Sequence, residues 1–344
     1  MSLEPLTTRL RTAGYVVEVQ SQSESLYHSI IAATGSSRLD APVGSGPADV
    51  TLVLEASRKR FDVRGFELLT RGVWVNASRE TVIEDLGGSG FTQAWSVEDG
   101  RLIVRTRWSP SWLAMGAATA LPSRFRTLRA QVLLHYPVLW WASVNGLAPL
   151  HVSVLQVDGV VVLLAGPGGV GKSTLVAREL STGATATCDN LAVSAGFVVR
   201  GIYEPLRLPS GLGLSRSGAR TTRGRRESAW SGRVPSLTPD LVVVVRRGDG
   251  AKREVHPISA EQAQRTLVAG TYSAGELRRF WPLAAILALA TREGPVHPPV
   301  ENVAATLTSR LPCFELDLTA LAGEQLTTSL QAPLTELHRK GVGA

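Results

Sequence analysis

Cysteine and long apolar runs are scarce in this sequence. Cys188 and Cys313 are the only cysteines among 344 residues, too few for a disulfide-rich secreted scaffold and typical of a reducing cytoplasm. No apolar run approaches the ~20 residues that span a membrane. The first ten residues carry charges and no apolar stretch of the signal-peptide type. We therefore expect a cytoplasmic protein without a membrane partner.

The excess of positive charge is confined to one segment. Lysine and arginine outnumber aspartate and glutamate by 36 to 29. The segment Leu214–Val234 holds Arg216, Arg220, Arg223, Arg225, Arg226 and Arg233 against Glu227 alone. A protein built to coat nucleic acid spreads basic charge along a face, so we expect no dedicated nucleic-acid binding. The segment is interpreted instead as a mobile arm for an acidic peptide or a phosphate, with a merely solvated loop as an equal alternative.

The motif that carries chemistry lies in the middle of the chain. Gly166 to Ser173 match the pattern G-x-x-x-x-G-K-[ST] of phosphate-binding loops. In such loops the backbone amides close on phosphate oxygens, the lysine neutralises the β and γ phosphates, and the serine hydroxyl binds Mg²⁺. The sequence thus predicts a site for ATP or GTP with Mg²⁺, formed by Gly166, Gly168, Gly169, Val170, Gly171, Lys172, Ser173 and Thr174.

The residues on either side of this loop support a phosphate site. The apolar run Val160–Ala165 predicts a buried strand before the loop. Leu175, Val176 and Leu180 predict an amphipathic helix after it, which Gly183 is well placed to end. A strand followed by a glycine-rich loop and a helix is the context that the motif requires.

A hairpin is predicted to lead into the loop. Val152–Val157 reads as a strand, and Asp158-Gly159 is typical of a two-residue hairpin turn. Without a bulge, paired positions sum to 317, which places His151 opposite Gly166.

A further strand is predicted to bring an acidic residue to the loop. Ala184–Cys188 follows the helix, and a right-handed crossover makes it a parallel strand that ends at Asp189. Ligands bind at the carboxyl ends of such strands, so we expect Asp189 at the same rim as Lys172. There it is a candidate for Mg²⁺ coordination or for general-base catalysis.

These residues resemble the HPr kinase/phosphorylase family and the related serine kinases of bacterial peptide-modification pathways. The spacing from His151 to Gly166 and the segment Gly183–Asn190 match the family pattern. The resemblance, over roughly residues 135 to 320, implies an α/β P-loop domain of the HPr kinase/PEP carboxykinase-like type. It also implies that His151 helps to bind phosphate and that Asp189 acts as base toward an acceptor hydroxyl. Asn190 departs from the family's second aspartate, and Thr174 departs from its glutamate after the serine.

The remaining sequence predicts two domains. Residues 1–134 are expected to form a separate, mainly β domain that could bind a partner, and residues 135–344 the nucleotide-binding domain. The strands predicted in the first part are Val16–Val19, Val50–Leu54, Phe61–Val63, Gly72–Val75 and Leu102–Arg107. Arg124–Tyr136 is predicted to be a helix, and Trp140-Trp141 to pack between the domains.

The chain after Asn190 is predicted to extend the nucleotide-binding domain. Leu191–Ser194 and Phe197–Arg200 are expected to continue the sheet, Pro282 to occupy the first helical position of a later helix, and Phe314–Leu318 to close the sheet. Glu204 could complete a metal site and Arg207 could touch phosphate. Exposure on the surface would explain each equally well, so neither enters the predicted site.

Two functions are compatible with these features. The first is an ATP-dependent kinase that phosphorylates a serine or similar hydroxyl on a protein or a ribosomally made precursor peptide. The second is a catalytically weakened, nucleotide-dependent subunit that recognises a precursor peptide, because Asn190 replaces a carboxylate. A GTPase switch is disfavoured because no Asn-Lys-x-Asp signature occurs. The sequence leaves the oligomeric state open.

Overall fold

The computed structural model describes residues 4–35, 46–209, 219–221, 224–230, 232–248, 254–318 and 325–331, together with 333 and 335. Over these ranges the chain is a mixed α/β protein with several β-sheets. None of the helices described is long and apolar enough to cross a membrane.

Residues 6–108 are mainly β. In the described part of this region, eight strands form one sheet in the order β1-β2-β3-β8-β7-β6-β5-β4. The elements are β1 (Leu6–Thr12), β2 (Tyr15–Ser21), α1 (Glu24–Ala33), β3 (Val50–Glu55), β4 (Glu67–Thr70), β5 (Val73–Val75), β6 (Thr81–Ile83), β7 (Phe91–Glu98) and β8 (Arg101–Trp108). Alternate residues of β3 are buried, which is the period expected of a strand with one face in the core.

The predicted strand at Phe61–Val63 is wrong, because these residues have no regular secondary structure. The ring of Phe61 instead lies under the guanidinium groups of Arg105 and Arg107, at 5.4 and 4.1 Å from its centroid. Phe61 also packs against Val82 and Ala94. The short apolar run therefore indicated burial correctly, but this burial does not come from pairing in a sheet.

A helical segment connects this sheet to the rest of the chain. It comprises α2 (Trp112–Ala120), α3 (Pro122–Ala130), a π-helical turn at Gln131–His135 and α4 (Tyr136–Val144). The predicted boundary after residue 134 falls inside this segment. Trp140 is buried and meets Trp95 of β7 edge to face, with ring centroids 5.6 Å apart. One apolar cluster joins residues of the first sheet, α4 and residues 274–287, while the division into two domains remains a prediction.

Short strands and helices alternate in the remainder. The strands are β9 (Ala148–Leu150), β10 (Ser153–Val157), β11 (Val160–Ala165), β12 (Thr185–Cys188), β13 (Ala192–Ser194), β14 (Val199–Gly201), β15 (Leu206–Pro209), β16 (Arg225–Ser228), β17 (Ser236–Leu237), β18 (Leu241–Arg247), β19 (Glu254–Pro257) and β20 (Cys313–Leu318). The helices are α5 (Lys172–Ser181), α6 (Ala260–Tyr272), α7 (Phe280–Thr291), α8 (Val300–Arg310) and α9 (Leu326–Ser329).

A central sheet carries the hairpin, in the order β12-β10-β11-β18-β20-β19 over the residues described. The predicted register is confirmed, since Val157 pairs with Val160 and Ser153 with Leu164. Alternate residues of β11 face opposite layers. Val162 and Leu164 pack in one cluster with α5, whereas Leu163 and Ala165 pack in another with α6 and α8. The sheet is therefore covered by helices on both faces, as a buried, largely apolar strand requires.

The predicted position of the strand after α5 needs correction. β12 pairs antiparallel with β10, and not with β11. The tight turn at Asp158-Gly159 has already placed β10 beside β11, so the returning chain adds to the outer edge of β10. β12 still runs in the same direction as β11, and Asp189 reaches the predicted rim.

Two smaller expectations are also corrected. β13 and β14 do not continue the central sheet but join β9 and β17 in a second sheet, because the chain turns away at Asp189-Asn190. Pro282 is the third residue of α7, and not the first. Amides of a first helical turn have no intrahelical partner, so proline is tolerated at that position too.

Candidate functional site

The ends of β11 and β12 open into a cleft of about 900 Å³. One wall consists of the loop Gly166–Gly171, hereafter the glycine-rich loop, and the start of α5. Gly87, Gly88, α2 and α3 also line the cleft. The other lining residues are Leu121, Gln131, His151, Asp189, Asn190, Arg207, Thr221, Arg225, Ser273, Ala274, Gly275, Glu276, Arg278 and Arg279.

Two positions of the glycine-rich loop require glycine. Gly166 has φ +143°, and a Cβ there would lie 2.6 Å from the carbonyl oxygen of Val245. Gly171 has φ +127° and would crowd the side chain of Leu318. Six predicted nucleotide-binding residues border the cleft, namely Gly168, Gly169, Gly171, Lys172, Ser173 and Thr174. Gly166 and Val170 do not, because Val170 packs into the core beneath the loop.

Lys172 is almost completely buried at the base of the cleft. Its Nζ donates hydrogen bonds to the carbonyl oxygens of Gly166, at 2.7 Å, and Pro167, at 3.2 Å. Burial lowers the pKa of this ammonium to about 8, although Asp189 and Glu276 act in the opposite direction. A buried cation held over a glycine-rich loop is well placed to bind an anionic ligand.

Asp189 lies beside Ser173 at the predicted rim. Its carboxylate is hydrogen-bonded to Ser173, and burial raises its pKa to about 6 despite Ser173 and Lys172. Its Oδ1 is buried without a hydrogen-bond partner among the described residues. Ser153 Oγ donates to the Asp189 carbonyl at 2.6 Å and fixes the backbone.

The residues around Asp189 fit a Mg²⁺ ion. An orphaned carboxylate oxygen beside a hydroxyl supplies the hard oxygen ligands that Mg²⁺ prefers. Among the described residues, no group of three or more His, Cys, Asp or Glu side chains could hold a metal. Mg²⁺ in nucleotide sites typically has one or two protein ligands and completes its shell with phosphates and waters, so Ser173 and Asp189 suffice.

His151 and Asn190 form a buried pair next to the glycine-rich loop. His151 Nε2 and Asn190 Oδ1 are 2.8 Å apart, and the His151 amide donates to Thr271 Oγ1 at 3.2 Å. Burial, followed by the charge of Lys172, lowers the pKa of His151 to about 4, so the ring is neutral at pH 7. His151 was predicted to lie opposite Gly166, but both residues lie beyond the last paired residues of the hairpin. His151 and Lys172 nevertheless line the same cleft.

A second group of charges, which the sequence did not assign to the site, lies behind Asn190. Arg207 contacts Glu276 Oε1 at 3.3 Å and Glu204 Oε2 at 3.4 Å. The interpretation of Glu204 and Arg207 as surface residues is wrong, because their side chains are only 3% and 16% exposed. Glu204 lies between β14 and β15 and Arg207 lies in β15, and the position of both in the segment that follows β14 was the signal in the sequence. Glu276 carried no such signal, since it reaches the cleft from the connection between α6 and α7.

Glu204 makes a stability prediction possible. Burial raises the pKa of Glu204 from 4.5 to about 7, although Arg207 lowers it. The folded state therefore binds this proton more tightly than the unfolded state. The contribution of protonated Glu204 to the free energy of unfolding is fully present below pH 4.5 and is lost as the pH rises through about 7. Glu204→Gln should leave the free energy of unfolding almost unchanged at pH 4.5 and increase it at pH 8 by at most about 3 kcal/mol. Urea unfolding of both proteins at both pH values measures this, with the exposed Glu261→Gln as control. An equal difference at the two pH values would contradict the expectation.

The arginine-rich segment is partly structured. Arg216 and Arg223 lie outside the described residues, as do the other residues of 210–218, 222 and 231. Arg225 and Arg226 belong to β16, which pairs with β15, and Arg225 borders the cleft. Arg233 stacks between Tyr203 and Trp230, at 4.4 Å from each ring, and donates to the carbonyl of Glu204. The expectation of a mobile arm is thus wrong for these three arginines, because sheet pairing and ring stacking hold them.

Comparisons with known proteins do not assign this chain to a family. No protein-family model matches the sequence, and no curated protein is detectably similar to it. Among the solved structures that match is the Hpr(Ser) kinase/phosphatase from Coxiella burnetii, with 11% identity over 56% of this chain and 93% of that chain and a TM-score of 0.30. A TM-score of this size does not establish a shared fold, so the function must be inferred from the residues of the cleft.

Proposed function

We propose that this protein is an ATP-dependent kinase that transfers the γ-phosphoryl group to a serine or similar hydroxyl of a cytoplasmic protein or precursor peptide. The observation that carries the proposal is the convergence of Lys172, Ser173 and the unpartnered Asp189 oxygen at the end of a glycine-rich loop. Phosphoryl transfer needs alignment and charge neutralisation more than covalent chemistry, and these residues supply both.

The residues of the chain divide this work. Amides of the glycine-rich loop and the ammonium of Lys172 bind the phosphates of the nucleotide. Ser173 and Asp189 would hold Mg²⁺, which neutralises charge on the β and γ phosphates when bound. Neutral His151 is fixed by Asn190 and Thr271 and helps to position the phosphate. The low accessibility of this end of the cleft strengthens each electrostatic contact.

The cleft has room for an acceptor as well. Its volume of about 900 Å³ is near the upper end of the ~300–1,000 Å³ of small-molecule pockets. Arg124, Arg278 and Arg279 also line it, which supports an acceptor with acidic residues near its hydroxyl. GTP is an alternative donor, since no described contact distinguishes the bases.

One observation favours a second function. Asn190 places a neutral amide where a second carboxylate is usual in kinases that the sequence resembles, and its Oδ1 is engaged by His151. A protein that binds nucleotide without transferring phosphate would act as a nucleotide-dependent recognition subunit for a precursor peptide.

Transfer of labelled γ-phosphate from ATP with Mg²⁺ tests the proposal. We expect the wild-type protein to release ADP and to label a hydroxyl of its acceptor, or inorganic phosphate when water is the acceptor. Binding of ATP and of a partner peptide without any turnover would reject the kinase in favour of the recognition subunit. No binding of nucleotide would reject both.

A further inference from the structure

Glu276 is the one carboxylate of the described residues that lines the cleft together with Asp189. It lies in the connection between α6 and α7, and its side chain is 26% exposed. Because Glu276 borders the cleft, this exposed part faces the space available to an acceptor. Tyr136 Oη donates a hydrogen bond to the Glu276 carbonyl at 3.1 Å and fixes its backbone.

The other polar groups of the cleft are poor proton acceptors. Asn190 is a neutral amide. His151 is a weak base, because burial lowers its pKa to about 4, and its Nε2 is engaged by Asn190 Oδ1. Asp189 is almost completely buried and is hydrogen-bonded to Ser173, as a metal ligand would be.

Arg207 orients Glu276 and keeps it ionised. The guanidinium contacts Glu276 Oε1 at 3.3 Å and is itself anchored by Glu204. Burial alone would raise the pKa of Glu276, but the guanidinium of Arg207 is the largest of the influences that offset it, so the pKa lies below the ordinary value. Asn190 faces the same carboxylate and lowers its pKa further. A carboxylate that stays charged and accessible has the properties of a general base for a hydroxyl.

We propose that Glu276 is the general base of the phosphoryl transfer, an assignment that rests on the proposed kinase function. The O–H bond of the acceptor breaks, and its proton passes to the Glu276 carboxylate. The oxygen forms a bond to the γ-phosphorus of ATP while the bond from that phosphorus to the β,γ-bridging oxygen breaks. The electron pair of that bond leaves with ADP. Arg207 is the positioning residue of Glu276.

Substitution of Glu276 tests the assignment with ATP, Mg²⁺ and water as the acceptor. Glu276→Gln keeps the shape and should lower kcat for release of labelled phosphate by about 10²-fold, the lower end of general-base contributions. The Kd of ATP should stay within a few-fold, since the carboxylate does not hold the phosphates. Glu261→Gln, an exposed partner of Arg265 on α6, is the matched control and should keep wild-type activity.

Chemical rescue separates a base from a merely structural residue. Sodium formate should restore part of the activity of Glu276→Ala, because a small carboxylate can occupy the vacated space, and should not stimulate the wild type. Wild-type kcat in Glu276→Gln would overturn the assignment and leave the kinase standing. The same conclusion would follow if both variants lost activity and formate did not restore the activity of Glu276→Ala. Absence of turnover in the wild-type protein would overturn both.

Discussion

Replacing Lys172 with alanine is expected to abolish the rise in melting temperature that ATP and Mg²⁺ produce. Ligand at 100-fold excess over its Kd stabilises the native state by about 2.7 kcal/mol, and this gain requires the ammonium that neutralises the phosphates. Removing Lys172 also removes a buried charge whose pKa burial lowers to about 8. It also removes the two hydrogen bonds to Gly166 and Pro167, so the shift is measured for each protein relative to its own ligand-free melt.

Thermal melts of both proteins with and without Mg²⁺-ATP provide the measurement. Lys59→Ala is the control, because Lys59 is exposed and far from the cleft in the first sheet region; it should retain the full shift. If ATP stabilises Lys172→Ala as much as the wild type, the glycine-rich loop does not bind the nucleotide.

Asp189→Asn is expected to reduce phosphoryl transfer on the order of 10²-fold or more, the scale of losses when one acidic catalytic group is removed. The amide preserves the side-chain shape and can keep a hydrogen bond with Ser173, so the Kd of ATP should change by only a few-fold. If Asp189 holds the metal, the variant should also need more Mg²⁺ for half-maximal rate, because divalent ions prefer anionic oxygen ligands.

Steady-state rates over a series of Mg²⁺ concentrations distinguish these roles. An unchanged Mg²⁺ requirement with the same loss of rate would indicate that Asp189 is the base, as the family resemblance implies, and not a metal ligand. Asp158→Asn in the distant hairpin turn is a suitable control, since Asp158 has φ +49° and asparagine tolerates that conformation. Wild-type transfer in Asp189→Asn would remove this residue from the site.

The part of the site that is local in sequence could be predicted from the residues. The apolar run of β11, the turn at Asp158-Gly159 and the glycine at 183 each have short-range causes, and they fixed the hairpin register and the helix that carries Lys172. The direction of β12 was predicted correctly although its pairing partner was not, and the direction alone places Asp189 at the rim.

The part that depends on tertiary packing could not be predicted. β12 has only four residues, and its sequence does not determine whether it pairs with β10 or with β11. Glu204 and Arg207 look like surface residues because charge in a short loop is usually solvated, and only the fold reveals that they share a buried network. Glu276 is 87 positions away from Asp189 in the sequence, and no spacing rule connects residues so distant.

Under the proposed function, the part of the cleft that α3 lines would give the first 134 residues a part in acceptor choice. Phe125 of α3 borders the cleft and also packs against Phe91 and Trp108 of the first sheet, with ring centroids 6.4 and 6.0 Å away. The width of the opening thus depends on how that sheet supports α3. Anyone who wished to re-engineer the protein for a larger or smaller acceptor would begin with these aromatic contacts and leave the nucleotide end intact.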